Sequence, residues 1–386
     1  VARVTTRRSD VVVVGGGPAG GTAAYELACR GLDVVVLEKE KLPRPKVCAG
    51  GLTAKTVQLL DFDLTSVYES AITRGKCTYR GRSPVTIEFG EVVGWTVMRD
   101  KFDHLILQQA AAAGAQVLDR QRVTGIELGN TGVTVKTPDG DFHCSAAIGA
   151  DGANGVVARS VGLRSRRHVA VALETEIRGS PELLEERRGC VHFDFGSVPR
   201  GYGWVFPKKE ILSVGVGSFL GKATSLKASL FSLMQILGLK CDPNEVKARG
   251  HLVPLGGEDR VLHKGRVLLA GDAAGLAEPI TGEGIYYAVR SAGIAADVIC
   301  RALQEGTDDL SSYSMQISAD ITHDLHYARR LAGLLYRLPR LAYRFFVSSP
   351  MVQSGMADVI YGRTSFEQMC GHLLKNAPRV LFSALR

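Results

Sequence analysis

The stretch SDVVVVGGGPAGGTAAYELACRGLDVVVLEKE, Ser9 to Glu40, reads as strand, glycine turn, helix and strand. Val11 to Val14 form an unbroken apolar run, the pattern of a parallel strand buried on both faces. Gly15, Gly17 and Gly20 supply GxGxxG spacing at the start of a helix expected to run to about Arg30. The first glycine permits the tight turn, the second lets a pyrophosphate touch backbone, and the third lets helix pack on strand. The helix start also offers free N–H groups and the positive end of its dipole. Glu38 closes the second strand, Val34 to Leu37, where a carboxylate accepts hydrogen bonds from a ribose. A dinucleotide site follows, of the NAD or the FAD kind.

Two later segments repeat the logic. GRVLLAGDAAGLAEPITGEGIYYAVRSAGIAADVI, from Gly265, places Asp272 at a strand's carboxyl end and opens a long helix at Gly284. A carboxylate there can hold ribitol hydroxyls, and the helix opening at Gly282 to Ile285 can point N–H groups at the O2 and N1 region of a flavin. AAIGADGANGVVARSVG, from Ala146, sets Asp151 and Gly152 at the end of another strand. A strand–helix turn with an N-cap Asp is the plainer reading of the Asp272 segment. Together the three blocks resemble the FAD fingerprints of the monooxygenase-like flavoprotein superfamily, across about residues 10–300. Arg99, in VMRDKFDHLIL, matches the arginine this superfamily sets beside the flavin; its plainer reading is a solvated charge at a helix start. The resemblance implies FAD as cofactor, with Pro18, Ala19, Lys39, Val123, Gly271 and Pro279 among its contacts.

The implied architecture is α/β: a discontinuous Rossmann-like FAD-binding domain, an inserted antiparallel β-sheet substrate domain and a C-terminal helical region. The expected divisions are residues 1–75, 95–165 and 259–310; 76–94 and 166–258; and 311–386. The inserted stretches alternate like strands, as in LSVGVGSF and CVHFDFG, with one helix near Leu226 to Leu237.

Within that insert, GYGWVFPK puts Tyr202, Trp204 and Phe206 on alternate residues, hence on one strand face, with Gly203 and Val205 on the other. Aromatic residues suit any sheet core. With KVCAGGL, Lys46 to Leu52, however, the motif resembles the geranylgeranyl reductase family, flavoenzymes that saturate isoprenoid chains. That family usually shows CGG where this chain has Cys48-Ala49-Gly50-Gly51, a departure of one methyl that bears on flavin approach. The resemblance implies that the three rings, with Gly50 and Gly51, line a tunnel for a prenyl chain. It also implies that Cys48, Ala49 and Gly50 lie at the flavin. Saturation needs a hydride and a proton, and Cys48 and Tyr202 are the candidates for organising the acid; a buried inert thiol is the alternative for Cys48. Other chemistry on the same fold remains open, as a monooxygenase or halogenase, or as an electron-transferring flavoprotein.

Forty-seven Lys and Arg against 39 Asp and Glu give a net charge of +8, which favours an anionic partner, and no nucleic-acid motif is present. Eight cysteines without a CxxC pair argue against a metal site and for reduced thiols in the cytoplasm. The N-terminal residues carry no signal-peptide pattern. In ARRLAGLLYRLPRLAYRFF, Leu331, Leu334, Leu335, Leu338, Leu341 and Phe345 recur at helical spacing, Arg330, Arg337, Arg340 and Arg344 gather on another side, and Pro339 kinks or splits the helix. Such a segment suits peripheral docking on the cytoplasmic membrane, or packs its leucines on the core. No second GxGxxG block marks a nicotinamide site, so NAD(P)H docking transiently or ferredoxin is the expected electron donor.

Overall fold

The computed structural model describes residues 7–163, 168–220, 225–239 and 246–376; Cys241 and the expected division at 165 lie outside them. Strand Arg7–Val14 sits at the centre of the main sheet. It pairs in parallel with Val34–Leu37 on one side and Gly140–Gly149 on the other. Val267–Leu269 and Gln116–Leu118 extend the parallel set outward. The valines and leucines of the four inner strands share one core with helices Pro18–Cys29 and Ile285–Glu305, which pack on each other, and with the antiparallel strands Gly125–Leu128 and Val133–Thr137. Each fully buried Val or Leu contributes roughly 1.5–3 kcal/mol. Gly20 is needed here: a Cβ would stand 1.8 Å from the Gly15 carbonyl oxygen.

A seven-stranded sheet forms the second layer, in the order Arg249–Leu255, His168–Arg178, Ile211–Ser218, Gly201–Pro207, Cys190–Phe195, Arg74–Tyr79 and Arg82–Glu88. All neighbours are antiparallel except Cys190–Phe195 with Arg74–Tyr79, which run parallel. The parallel join arises because Arg74–Tyr79 arrives from a distant segment and not through a hairpin; this strand straddles the division expected at residue 76. One sheet face packs on helix Leu226–Ile236, with Val205, Val214 and Val216 against Leu230, Leu233 and Met234. The other faces the domain built on the parallel sheet. A small sheet of Gly51–Thr53, Gly94–Val97 and Tyr68–Ile72 joins the two.

The chain ends in helices Ser311–Ile317, His323–Arg337, Pro339–Ser348, Pro350–Tyr361 and Phe366–Lys375. Pro339 splits the helix: Leu338 leaves helical geometry at φ −126°, ψ 55°, and Pro339 restarts it at the first position. The region folds back on the second sheet. The Tyr343 hydroxyl donates to the carbonyls of Cys77 and Ser83, and the Tyr361 hydroxyl donates to that of Val92. Leu331 and Leu335 pack inward, whereas Leu334, Leu338 and Leu341 remain 56 %, 49 % and 61 % exposed. No described helix is long and apolar enough to cross a membrane.

Candidate active site

The glycine turn and both acidic strand ends converge on one cavity of about 960 Å³, at the upper end of the ~300–1,000 Å³ range common for small-molecule sites. Gly15, Gly17, Pro18 and Ala19 form its first wall, with Glu38 and Lys39 beside them and Val123 opposite. Helix Pro18–Cys29 has no side-chain cap and no acid in its first turn, so its N–H groups are left for an anion. Glu38 is buried and accepts from Gly16 N at 2.9 Å and Glu40 N at 3.0 Å. Burial pushes its carboxyl up, but Arg44, 3.1 Å away, and these two N–H groups outweigh burial and hold it below the usual carboxylate range. Arg44 also meets Asp103 at 3.1 Å, and Asp103 grips Arg99 through paired bonds of 2.8 and 2.9 Å. Burial opposes the Arg99 charge; Asp103 and then Cys48 restore it, so the guanidinium stays firmly protonated beside that thiol.

At the middle of the cavity stand Asp151 and Gly152, Asp272, and the loop Gly282, Gly284 and Ile285. The Asp151 carboxylate accepts from Val157 N at 2.9 Å. Helix Ile285–Glu305 again begins without a side-chain cap. Its entry loop is held from three sides. Lys55 pairs with Glu283 at 2.8 Å, the Thr53 hydroxyl donates to Glu283 at 2.7 Å, and the hydroxyls of Tyr202 and Tyr336 donate to the carbonyls of Thr281 and Ile280. Lys46 reaches His251 at 3.2 Å, and His251 lies 3.6 Å from Asp272; burial lowers the Lys46 ammonium from its ordinary range.

Beyond the Cys48–Gly51 loop the cavity becomes a ring-lined chamber. Tyr202, Trp204 and Phe206 share its wall, as their alternation predicts, and Phe193, Phe195 and Phe219 complete it. Phe193 meets Tyr202 and Phe206 edge-on at 5.6 Å, while Tyr202 stacks on Phe219 at 5.3 Å. Gly51 lets Phe206 close on the loop, since a Cβ would lie 2.9 Å from its ring. The far end is lined by Phe346 and by Gln353, Met356, Ala357 and Ile360, one face of helix Pro350–Tyr361.

Cys48 and Ala49 line the cavity, and the Cys48 sulfur accepts from Gly50 N at 3.4 Å. Gly20, Gly50, Gly271 and Pro279 stand behind the wall and shape it. A Cβ on Gly50 would lie 2.1 Å from the Val97 carbonyl, and Gly271, at φ +57°, sits 3.1 Å by the same measure from the Ala19 methyl. Tyr202 does not offer its proton to the chamber, because the hydroxyl is given to Thr281 and burial raises its ionisation far above the ordinary phenol. The sequence reading missed Arg44, Asp103, Lys46, His251 and helix Pro350–Tyr361. Asp103 alone had a local signal, four residues after Arg99 on one helix.

Two uncapped helix starts, a buried ribose-side acid and an Asp at a strand end fit an elongated dinucleotide with an anionic centre. Residues 8–179 match the FAD binding domain family. The digeranylgeranylglycerophospholipid reductase 1 of Methanopyrus kandleri is 31 % identical over 368 residues, spanning 88 % of this chain and 94 % of that protein. The chain belongs to the geranylgeranyl reductase family. The chloroplastic geranylgeranyl diphosphate reductase of Nicotiana tabacum is 31 % identical over 325 residues, 79 % of this chain and 68 % of that one. Among solved structures, a geranylgeranyl bacteriochlorophyll reductase-like protein of Thermoplasma acidophilum superposes with a TM-score of 0.81 at 24 % identity, over 96 % of this chain and 100 % of that one. The halogenase PltM with FAD superposes at 0.70 and 17 % identity, over 95 % and 85 %, a likeness of fold alone. Like the rest of the geranylgeranyl reductase family, the chain is an FAD-dependent oxidoreductase.

Proposed function

We propose that the protein saturates C=C bonds of a geranylgeranyl or similar isoprenoid chain, carried on a lipid or other head group. One observation carries the reading: the cofactor cavity continues without a break into an aromatic chamber lined at its far end by helix Pro350–Tyr361. An isoprenoid tail has no polar handle and is held only by burial, roughly 0.8 kcal/mol per CH2. Flat rings supply that area with little rotamer entropy to lose.

When bound and reduced, FAD supplies the hydride, from N5, that an alkene accepts once a proton reaches the neighbouring carbon. The chain's residues do the remaining work. The uncapped helix starts hold the pyrophosphate and the ring edge, and Glu38 and Asp272 take the ribose and ribitol hydroxyls. Tyr202 clamps the flavin loop while its ring faces the substrate. Cys48, beside Arg99 at the loop, orients the reacting carbon and lies in the proton path. Electrons come from NAD(P)H or ferredoxin. The exposed Leu334, Leu338 and Leu341, flanked by exposed Arg330, Arg337, Arg340 and Arg344, support docking on an anionic membrane surface, where prenylated lipids reside.

The test is anaerobic incubation of the dithionite-reduced protein with geranylgeranyl compounds, followed by mass spectrometry, and a repeat in air. Saturated product without oxygen is the expected result. Product formed only in air would make the protein a monooxygenase or halogenase, and no product in either would leave an electron carrier.

A further inference from the structure

Among the described residues, the seven-stranded sheet turns one carboxylate into the chamber. Strand His168–Arg178 lays Ala170, Ala172 and Glu174 along the wall, and Glu174 is only 6 % exposed. The Ser213 hydroxyl donates to its Oε1 at 2.8 Å. Lys208 attracts it from the end of the aromatic strand, and Arg99 attracts it more weakly from across the cavity. The Lys208 ammonium is itself held 3.1 Å from Glu176, which repels Glu174. Arg249 stands opposite Glu174 in the pairing with the edge strand. Lys208 also fixes the location: its Cε would lie 3.6 Å from a Cβ on Gly50, so the group borders the Cys48–Gly51 loop. Burial pushes the Glu174 carboxyl up to about 7, with Ser213 and Lys208 opposing.

Glu174 is a buried acid on the chamber wall, beside the Lys208 that borders the Cys48–Gly51 loop, and it belongs to no ion pair of the cofactor site. The other proton-bearing groups are a thiol and a phenol, intrinsically weaker acids than a carboxyl, and an alkene is a feeble base. We propose that Glu174 is the acid that protonates the alkene, an assignment that rests on the reductase reading above. One alkene carbon takes the hydride equivalent with its two electrons. The other takes the Glu174 proton. The π bond, the carboxyl O–H bond and the donor's bond to the transferred hydride break, two C–H bonds form, the reduced cofactor is oxidised by two electrons, and the carboxylate regains its proton from solvent before the next turnover.

The experiment compares wild type, Glu174→Gln and Glu174→Asp, each with its FAD content measured. Wild-type saturation in anaerobic single turnover falls as pH rises through about 7, where the acid is spent. Glu174→Gln retains FAD, loses roughly 10²-fold or more in rate and loses that pH limb, whereas Glu174→Asp keeps a limb at reduced rate. Infrared difference spectra of wild type across the same pH range show a protonated carboxyl stretch that Glu174→Gln lacks; this readout needs no turnover. Saturation by wild type together with an equally fast Glu174→Gln of unchanged pH profile overturns the acid and leaves the reductase reading standing. Failure of wild type itself to saturate any prenyl compound overturns that reading and the acid with it. Absence of the infrared band overturns the acid alone.

Discussion

Two strand glycines lie on opposite sides of the sheet and separate the wall's role from its stability. An ideal Cβ on Gly215 would stand 2.1 Å from Cζ2 of Trp204 and 2.4 Å from Cε2. Moving the indole out to an ordinary 3.4 Å contact is a retreat of about 1.3 Å into the chamber. On the opposite face, a Cβ on Gly203 would meet Leu233 at 2.5 Å, under helix Leu226–Ile236 and away from the cavity. Each Gly→Ala change overpacks a buried seam and costs about 1–3 kcal/mol of stability. Only Gly215→Ala takes room from the substrate. Displacing two or three CH2 contacts is worth about 2 kcal/mol, roughly 30-fold in kcat/KM for prenyl saturation. The assay is urea unfolding for both variants, then anaerobic saturation normalised to bound FAD. Equal kcat/KM in the two variants, or a Gly215→Ala protein as active as wild type, would refute the claim that this wall holds the substrate.

Tyr202→Phe removes the donor to the Thr281 carbonyl and leaves that oxygen unsatisfied, at about 1–3 kcal/mol. FAD affinity, by fluorescence titration of the apoprotein, then drops about tenfold, and an unchanged affinity would dismiss the clamp. Cys48→Ala keeps its FAD and saturates roughly 10²-fold more slowly; full activity would remove the thiol from the proton path. Glu174 carries a stability signature as well. Its carboxyl ionises near 7 in the fold against an ordinary 4.5, so the folded state binds the proton more tightly. Its contribution is complete below about 4.5 and is lost as pH climbs through about 7, by about 3 kcal/mol. Glu174→Gln is therefore more stable than wild type in alkaline urea melts and matches it in acid; the reverse order would contradict the burial. Flotation with anionic vesicles carries the wild type upward, and Arg337→Glu, Arg340→Glu and Arg344→Glu together leave it at the bottom; indifference to lipid and charge would return the segment to packing alone.

The nucleotide half was legible because its logic is local. Val11 to Val14, the Gly15–Gly20 turn and Glu38 follow one another, and the structure closes them around Gly16 N as the pattern implies. The alternation of Tyr202, Trp204 and Phe206 was likewise visible, since period two survives any context. What escaped depends on partners far along the chain. Glu174 sits in LETEIR, where it and Glu176 share one strand face; only the wall beside Ala170 and Ala172 distinguishes the first as buried. Arg44 meets Asp103 across 59 positions. Pro339 announced a break, but nothing local told that the following helices would turn back over Cys77 and Ser83.

That turning back sets a schedule. The last wall of the reaction vessel, Phe346 to Ile360, leaves the ribosome after every residue that handles the yellow cofactor. Until those helices dock, any reduced flavin already seated faces open water and dissolved oxygen instead of hydrocarbon. A chain cut short before Ser349 would lose most of that wall together with Val359, Phe366 and Met369, which share the core of the nucleotide-binding sheet, so the late helices serve the cofactor's housing as well as the chamber.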